Sequence, residues 1–284
     1  MSVRIIVDST ADLSPGIRER LMIVPLSIRF GDQEYAQGVD ITNEEFYRML
    51  PESKVLPTTS QPTPFAFEEL YRQVADAGDT AVVITVSSKL SGTYQSATIA
   101  AADFEGCVFV VDSRNVAIGM GILVEYALTL VERGMSAEAI FTELLAQREQ
   151  IRLYALLDTL EYLKKGGRIS PAVALAGGLL SIKPIICIKD GLVEMMGKAR
   201  GAKQGAQSLM NSITAAGVDE TMPFLLGYTG QSRVQLNKFC QDSAHLWGGD
   251  PNRIPVSIVG SVVGVHAGPG AIAVAFFAKN DRNA

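Results

Sequence analysis

The chain has 284 residues, 48% of them hydrophobic and 19% charged, which supplies a sizeable core and argues against intrinsic disorder. A formal net charge of −5, with scattered basic residues, argues against a nucleic-acid partner. The three cysteines, Cys107, Cys187 and Cys240, lie far apart without metal-ligand spacing and read as reduced core thiols of a cytoplasmic protein.

In chain order, residues 4–10 read as a strand ending in polar residues, with no signal-peptide core before it. A second strand run, 23–40, meets a turn at Gly31-Asp32. Residues 63–78 carry Phe65, Leu70 and Val74 near helical spacing and stop at Gly78. The apolar run Ala81–Val86 reads as a strand covered on both faces. A helix, the strand Cys107–Ser113 and a long apolar helix from Asn115 to Arg133 follow. Glu125 interrupts that helix, which marks it as buried rather than as a membrane span needing ~20 apolar residues. Ser136 is placed to cap the next amphipathic helix. Alternating strands and helices imply a mostly parallel, doubly wound sheet.

The second half changes character. Residues 184–200 are two strand runs joined by Asp190-Gly191, a hairpin signal. Residues 256–277 read as two strand runs around Ala267-Gly268-Pro269-Gly270. Hairpins with helices imply an α+β lobe with a mixed or antiparallel sheet. The expected class is therefore α/β and two-lobed, divided into 1–155 and 156–284, with a ligand in the cleft between. The polar tail from Lys279 reads as a frayed end.

Polar clusters end the apolar runs, which is where open α/β sheets bind ligands. They are Asp8-Ser9-Thr10, Thr58-Thr59-Ser60-Gln61, Ser87–Thr93 and Asp112-Ser113. The segment 87–93 lacks the glycines and lysine of a phosphate loop and those of a dinucleotide fingerprint. It also lacks the G-x-S-x-G elbow of a serine hydrolase, although Ser91 with His266 keeps a hydrolase or thioesterase reading open. A third reading is an anion cup: Ser91, Gly92 and Thr93 at a helix start, with Thr59 and Ser60 before another. Taken singly, these hydroxyls are ordinary helix caps and His266 is a satisfied core histidine. In residues 158–170, Lys164 and Lys165 complement a helix end with Gly166 in the left-handed position, or else form a basic knuckle with Arg168 that meets a partner. Arg200 fits the same face.

Seven segments together resemble the DegV family of bacterial fatty-acid-binding proteins. They are "VDSTADL" (7–13), "TSQPTPFAFEELY" (59–71), "SSKLSGTYQSA" (87–97), "VVDSRNVAIGMG" (110–121), "LEYLKKGGRIS" (160–170), "KPIICIKDGLVEMMGKARG" (183–201) and "VHAGPGAIAVAF" (265–276). The resemblance implies a two-lobed protein that buries one long-chain fatty acid. It implies no catalysis of its own: a separate ATP-binding fatty acid kinase subunit would phosphorylate the carboxylate to an acyl phosphate for phospholipid synthesis. By matching motif, Thr59, Ser60, Ser91 and His266 would hold the carboxylate, while Arg168 and Arg200 would lie near the kinase-docking face. Ala202 stands where the family commonly has a basic residue, and Lys203 follows. No segment suits ATP, Mg²⁺ or another cofactor, so the bound fatty acid is the only ligand expected, and membrane contact would be transient at most. Residues 175–184 and the helix at 115–131 are candidate tail walls. A lipid sensor or chaperone without a kinase partner is a further alternative.

Overall fold

The computed structural model describes residues 2–170 and 182–279. Its first sheet is wholly parallel, in the order β2 (Met22–Val24), β1 (Val3–Asp8), β6 (Thr80–Thr85), β7 (Val108–Asp112). Alternation along the strands gives it two apolar faces. Ile6, Ala81 and Val83 pack under α2 (Pro64–Asp76) and α3 (Thr93–Ala100). Ile5, Val7, Val82 and Ile84 pack under α4 (Ala117–Glu132) and α5 (Ala137–Gln147). The sheet is thus doubly wound. The buried stripe of α2 differs from expectation: Phe67, Tyr71 and Val74 face the core, while Phe65 is exposed. Thr63 caps this helix and Ser136 caps α5.

Six strands form the second sheet, in the order β10 (Leu192–Arg200), β9 (Ile182–Lys189), β8 (Ile151–Leu156), β13 (Ile272–Phe277), β11 (Phe224–Tyr228), β12 (Val256–Ile258). Only the β11–β12 pairing is parallel, so the sheet is mixed. Ile151–Leu156 pairs with β9 and β13, so the first strand of the second sheet in chain order starts at Ile151. A small antiparallel sheet joins β3 (Ser27–Phe30) to β4 (Gln33–Ala36) across Gly31-Asp32 and to β5 (Thr58–Ser60).

Helix α4 is apolar nearly all round and lies between the sheets, against β1 and β6 on one side and β8, β11 and β13 on the other. A helix without a polar face has to be enclosed in this way. Among the described residues no helix is long and apolar enough to cross a membrane.

Asp190 and Gly191 both have positive φ, 51° and 80°, as a tight hairpin turn between β9 and β10 requires. The tip is tied to the first lobe. Ser87 Oγ donates to Gly191 O at 2.7 Å, and Arg114 reaches Asp190 at 2.9 Å and Glu149 at 2.7 Å.

The stretch 256–277 departs from the two-strand expectation. Its first part is β12 followed by a helix, Ser261–Ala267, which starts after Gly260. Its valines favour strands by intrinsic propensity. Burial decides otherwise: Val262 and Val265 pack into a cluster with Ile28, Phe46, Tyr47 and Leu50. Residues Val234–Ser243 form a helix as well.

Candidate functional site

A cavity of about 420 Å³ lies between the carboxyl ends of β1 and β6 and the inner face of the second sheet. That volume falls within the roughly 300–1,000 Å³ of small-molecule sites. Most of its wall is apolar, including Leu153, Ala155, Ile186, Ile188, Ala271 and Ala273 from the second sheet. Of the expected tail walls, Val116 and Ala117 at the start of α4 line the cavity, and the rest of α4 is core packing. Residues 175–181 lie outside the described residues.

The polar groups of this wall include Thr59, Ser60, Ser91 and His266, gathered from a strand, a loop and a helix far apart in sequence. Thr10, Gln61 and Arg168 join them. His266 sits in the last turn of Ser261–Ala267, not at a strand end, and its Nε2 lies 3.0 Å from Thr59 Oγ1. The imidazole tautomer decides which of the two donates. Its Nδ1 is buried without a hydrogen-bond partner among the described residues. Burial first, and the nearby Arg168 cation second, push His266 down to about 4, so it is neutral at pH 7.

Ser91 Oγ pairs with Thr93 Oγ1 at 2.8 Å. Thr93 is fully buried and Gly92 is covered by the Gln61 side chain, so these two stand behind the cavity wall and position Ser91. Gln61 is itself held by Ser96 at 3.1 Å. Thr10 is fixed by Asp8, whose carboxylate accepts from Thr10 N, Thr10 Oγ1 and Val86 N at 2.9, 2.5 and 2.6 Å. Burial still raises Asp8 despite those bonds. Asp8 therefore ties the end of β1 to the end of β6 and aligns two cavity residues, Thr10 and Val86.

Arg168, expected on a partner-docking face, is a cavity residue. Its Nε donates to Leu90 O at 3.2 Å and its Nη1 to Gly166 O at 2.7 Å. These bonds spend part of a five-donor guanidinium. The polar end therefore includes a cation beside its hydroxyls. Arg200 is exposed at the end of β10, away from the cavity, and caps nothing with its side chain. Gly167, with φ of 67°, holds the left-handed position expected of Gly166. Gly166 has ordinary helical φ of −76° and is small for another reason: a Cβ there would overlap His266 Nδ1.

The hydrolase alternative needs Ser91 hydrogen-bonded to His266 and a carboxylate orienting the imidazole. Among the described residues the Ser91 hydroxyl bonds Thr93, His266 bonds Thr59, and no carboxylate bonds His266. No cluster of three or more metal-binding side chains occurs among the described residues.

Similar proteins place this architecture. The sequence profile described as "uncharacterised protein, DegV family" matches residues 2–279. A DegV domain-containing protein of Deinococcus radiodurans is 36% identical over 281 residues, covering 97% of this chain and 98% of that one. The solved structure of a fatty-acid-binding DegV family protein from Thermus thermophilus matches with a TM-score of 0.88 at 32% identity, covering 98% of this chain and 100% of that one. A stearic-acid-binding protein from Eubacterium ventriosum matches with a TM-score of 0.83 at 28% identity, covering 98% and 99%. With its two-lobed fold and its whole described length aligned to these proteins, the chain belongs to the DegV family.

Proposed function

We propose that the protein binds one long-chain fatty acid, tail in the apolar cavity and carboxylate at the Thr59, Ser60, Ser91 and His266 end. The observation that carries this reading is the cavity itself, a long apolar wall with neutral hydroxyl donors gathered at its polar end. The ligands named for the Thermus and Eubacterium relatives support it. Burying a methylene contributes about 0.8 kcal/mol, so a tail of ~14 methylenes supplies roughly ten kcal/mol before ordering costs. The tail gives affinity and the head group fixes orientation.

The head chemistry suits presentation to a separate ATP-dependent kinase subunit in the cytoplasm. Hydroxyl donors hold a carboxylate while leaving an oxygen lone pair able to attack. That oxygen would attack the terminal phosphorus of ATP held by the partner, and the bond to ADP would break as the acyl phosphate forms. Arg168 is placed to balance the charge arriving on the transferred phosphoryl group. Ser60 and Gln61 are exposed, so the head end faces solvent. This chain would act as the substrate-binding subunit and leave nucleotide binding to its partner.

Organic extraction of purified protein followed by mass spectrometry tests the binding half. A co-purifying fatty acid is expected; none, with no binding of added oleate or palmitate, would sink it. Adding ATP and a fatty acid kinase subunit from the same organism tests the presentation half. Acyl phosphate formation that needs both proteins is expected, and its absence with fatty acid bound would leave a carrier or sensor.

A further inference from the structure

A second cavity, of about 270 Å³, shares no lining residue with the first. It lies where the loop after β1 meets Gln37–Asn43 and the strand end at Ser257-Ile258. Asp12 lines it and is 5% exposed. One carboxylate oxygen, Oδ1, accepts from Gly260 N at 2.8 Å; the other, Oδ2, is buried with no partner among the described residues. Ser14 also lines this cavity, its backbone N donating to Glu125 Oε1 at 2.9 Å and its hydroxyl turned to the same carboxylate. A buried polar atom without a partner is costly, and such atoms are few in folded proteins.

Two neighbouring side chains have partners elsewhere. Gln37 Nε2 donates to Ser9 O at 2.9 Å and Tyr47 Oη to Val259 O at 2.8 Å. Burial consequently pushes Asp12 up to about 8, and an arriving cation would restore its charge. Across the same cavity stands Arg18, whose guanidinium packs over Gly38 and makes no hydrogen bond or ion pair among the described residues. Asn43 Oδ1 accepts from Ser261 N at 3.2 Å, which leaves its amide nitrogen to donate. Among the described residues, Asp12, with a buried carboxylate oxygen lacking a partner, and Arg18, with an exposed and unpaired guanidinium, thus line one cavity.

A metal ion is poorly served, because no metal-binding cluster exists among the described residues. A simple anion leaves Asp12 unanswered, and a simple amine leaves Arg18 so. We propose that this cavity binds a small zwitterion, its amine donating to Asp12 Oδ2 and its carboxylate or phosphate meeting Arg18 and the Asn43 amide. The proposal does not depend on what fills the first cavity.

Calorimetric titration of the full chain tests it with two zwitterions of different charge separation, L-serine and phosphoethanolamine. Propionate and ethylamine serve as single-charge comparators. Saturable binding of at least one zwitterion is expected, with both comparators weaker by about tenfold or more. Asp12→Asn keeps an acceptor for Gly260 N but turns the free oxygen into a donor, and it should weaken binding by a similar factor. Arg18→Ala removes an exposed side chain, so it reports even where Asp12→Asn lowers the thermal midpoint. The proposal is overturned if neither zwitterion saturates, if the comparators bind equally well, or if Arg18→Ala binds as the wild type does.

Discussion

His266 Nε2 and Thr59 Oγ1 lie 3.0 Å apart although 207 residues separate them in the chain. The contact joins the small three-stranded sheet to the helix Ser261–Ala267 at the polar end of the main cavity. Thr59→Val keeps the shape and removes the hydroxyl. It should weaken fatty-acid affinity roughly tenfold, the worth of one hydrogen bond to a charged group. Displacement of a fluorescent fatty acid measures this; unchanged affinity would place the carboxylate elsewhere.

The adjacent glycines Gly166 and Gly167 should fail in different ways. Gly166→Ala meets no backbone strain, but its methyl overlaps the His266 ring. It should lower fatty-acid affinity about as much as His266→Ala does. Gly167→Ala sits at φ of 67° with open space around it, so it should cost about 1 kcal/mol of stability and leave binding nearly intact. Thermal unfolding and ligand displacement on both variants separate the two effects.

Acid should destabilise the ligand-free protein partly through His266. The unfolded imidazole takes up its proton near 6.5 and the folded one near 4. The unfolded chain therefore binds more protons between those values, and stability falls as pH drops through that window. Arg168 is the cation that reinforces burial here, and Thr59 is the neutral partner. Urea midpoints across the window should fall less steeply in His266→Gln. Parallel curves for the two proteins would show that His266 does not titrate this way.

Ala155 and Ala273 are paired across β8 and β13, and both line the cavity. Their small side chains leave room that a larger residue would take. Ala273→Leu should shift the bound fatty acids toward shorter chains, read by mass spectrometry of the extracted lipid. An unchanged chain-length distribution would mean that the tail runs along another wall.

Much of the frame was legible from apolar runs and turn residues. Ala81–Val86 reads as a buried strand because both of its faces are apolar, and Asp190-Gly191 marks a hairpin because that turn needs two positive φ values. Ser261–Ala267 was not legible as a helix. Its valines point to a strand, and only contacts with Phe46 and Tyr47, distant in sequence, overrule them. The same limit hid the place of Arg168 in the cavity. Basic residues before and after a Gly-Gly break look like a helix terminus, and nothing local reveals the Leu90 carbonyl that turns Arg168 inward. Thr59, Ser60, Ser91 and His266 stand out as polar residues at the ends of apolar runs, yet the cavity that collects them is a product of the two sheets' packing.

Helix α4 gives the molecule one further property. It serves as core to both sheets, with Ile118, Met120, Ile122, Leu123 and Val124 all buried. Separating the lobes would expose the helix face that packs on the second sheet, so the two lobes should unfold together. The protein should melt in a single cooperative calorimetric transition, its van't Hoff and calorimetric enthalpies equal.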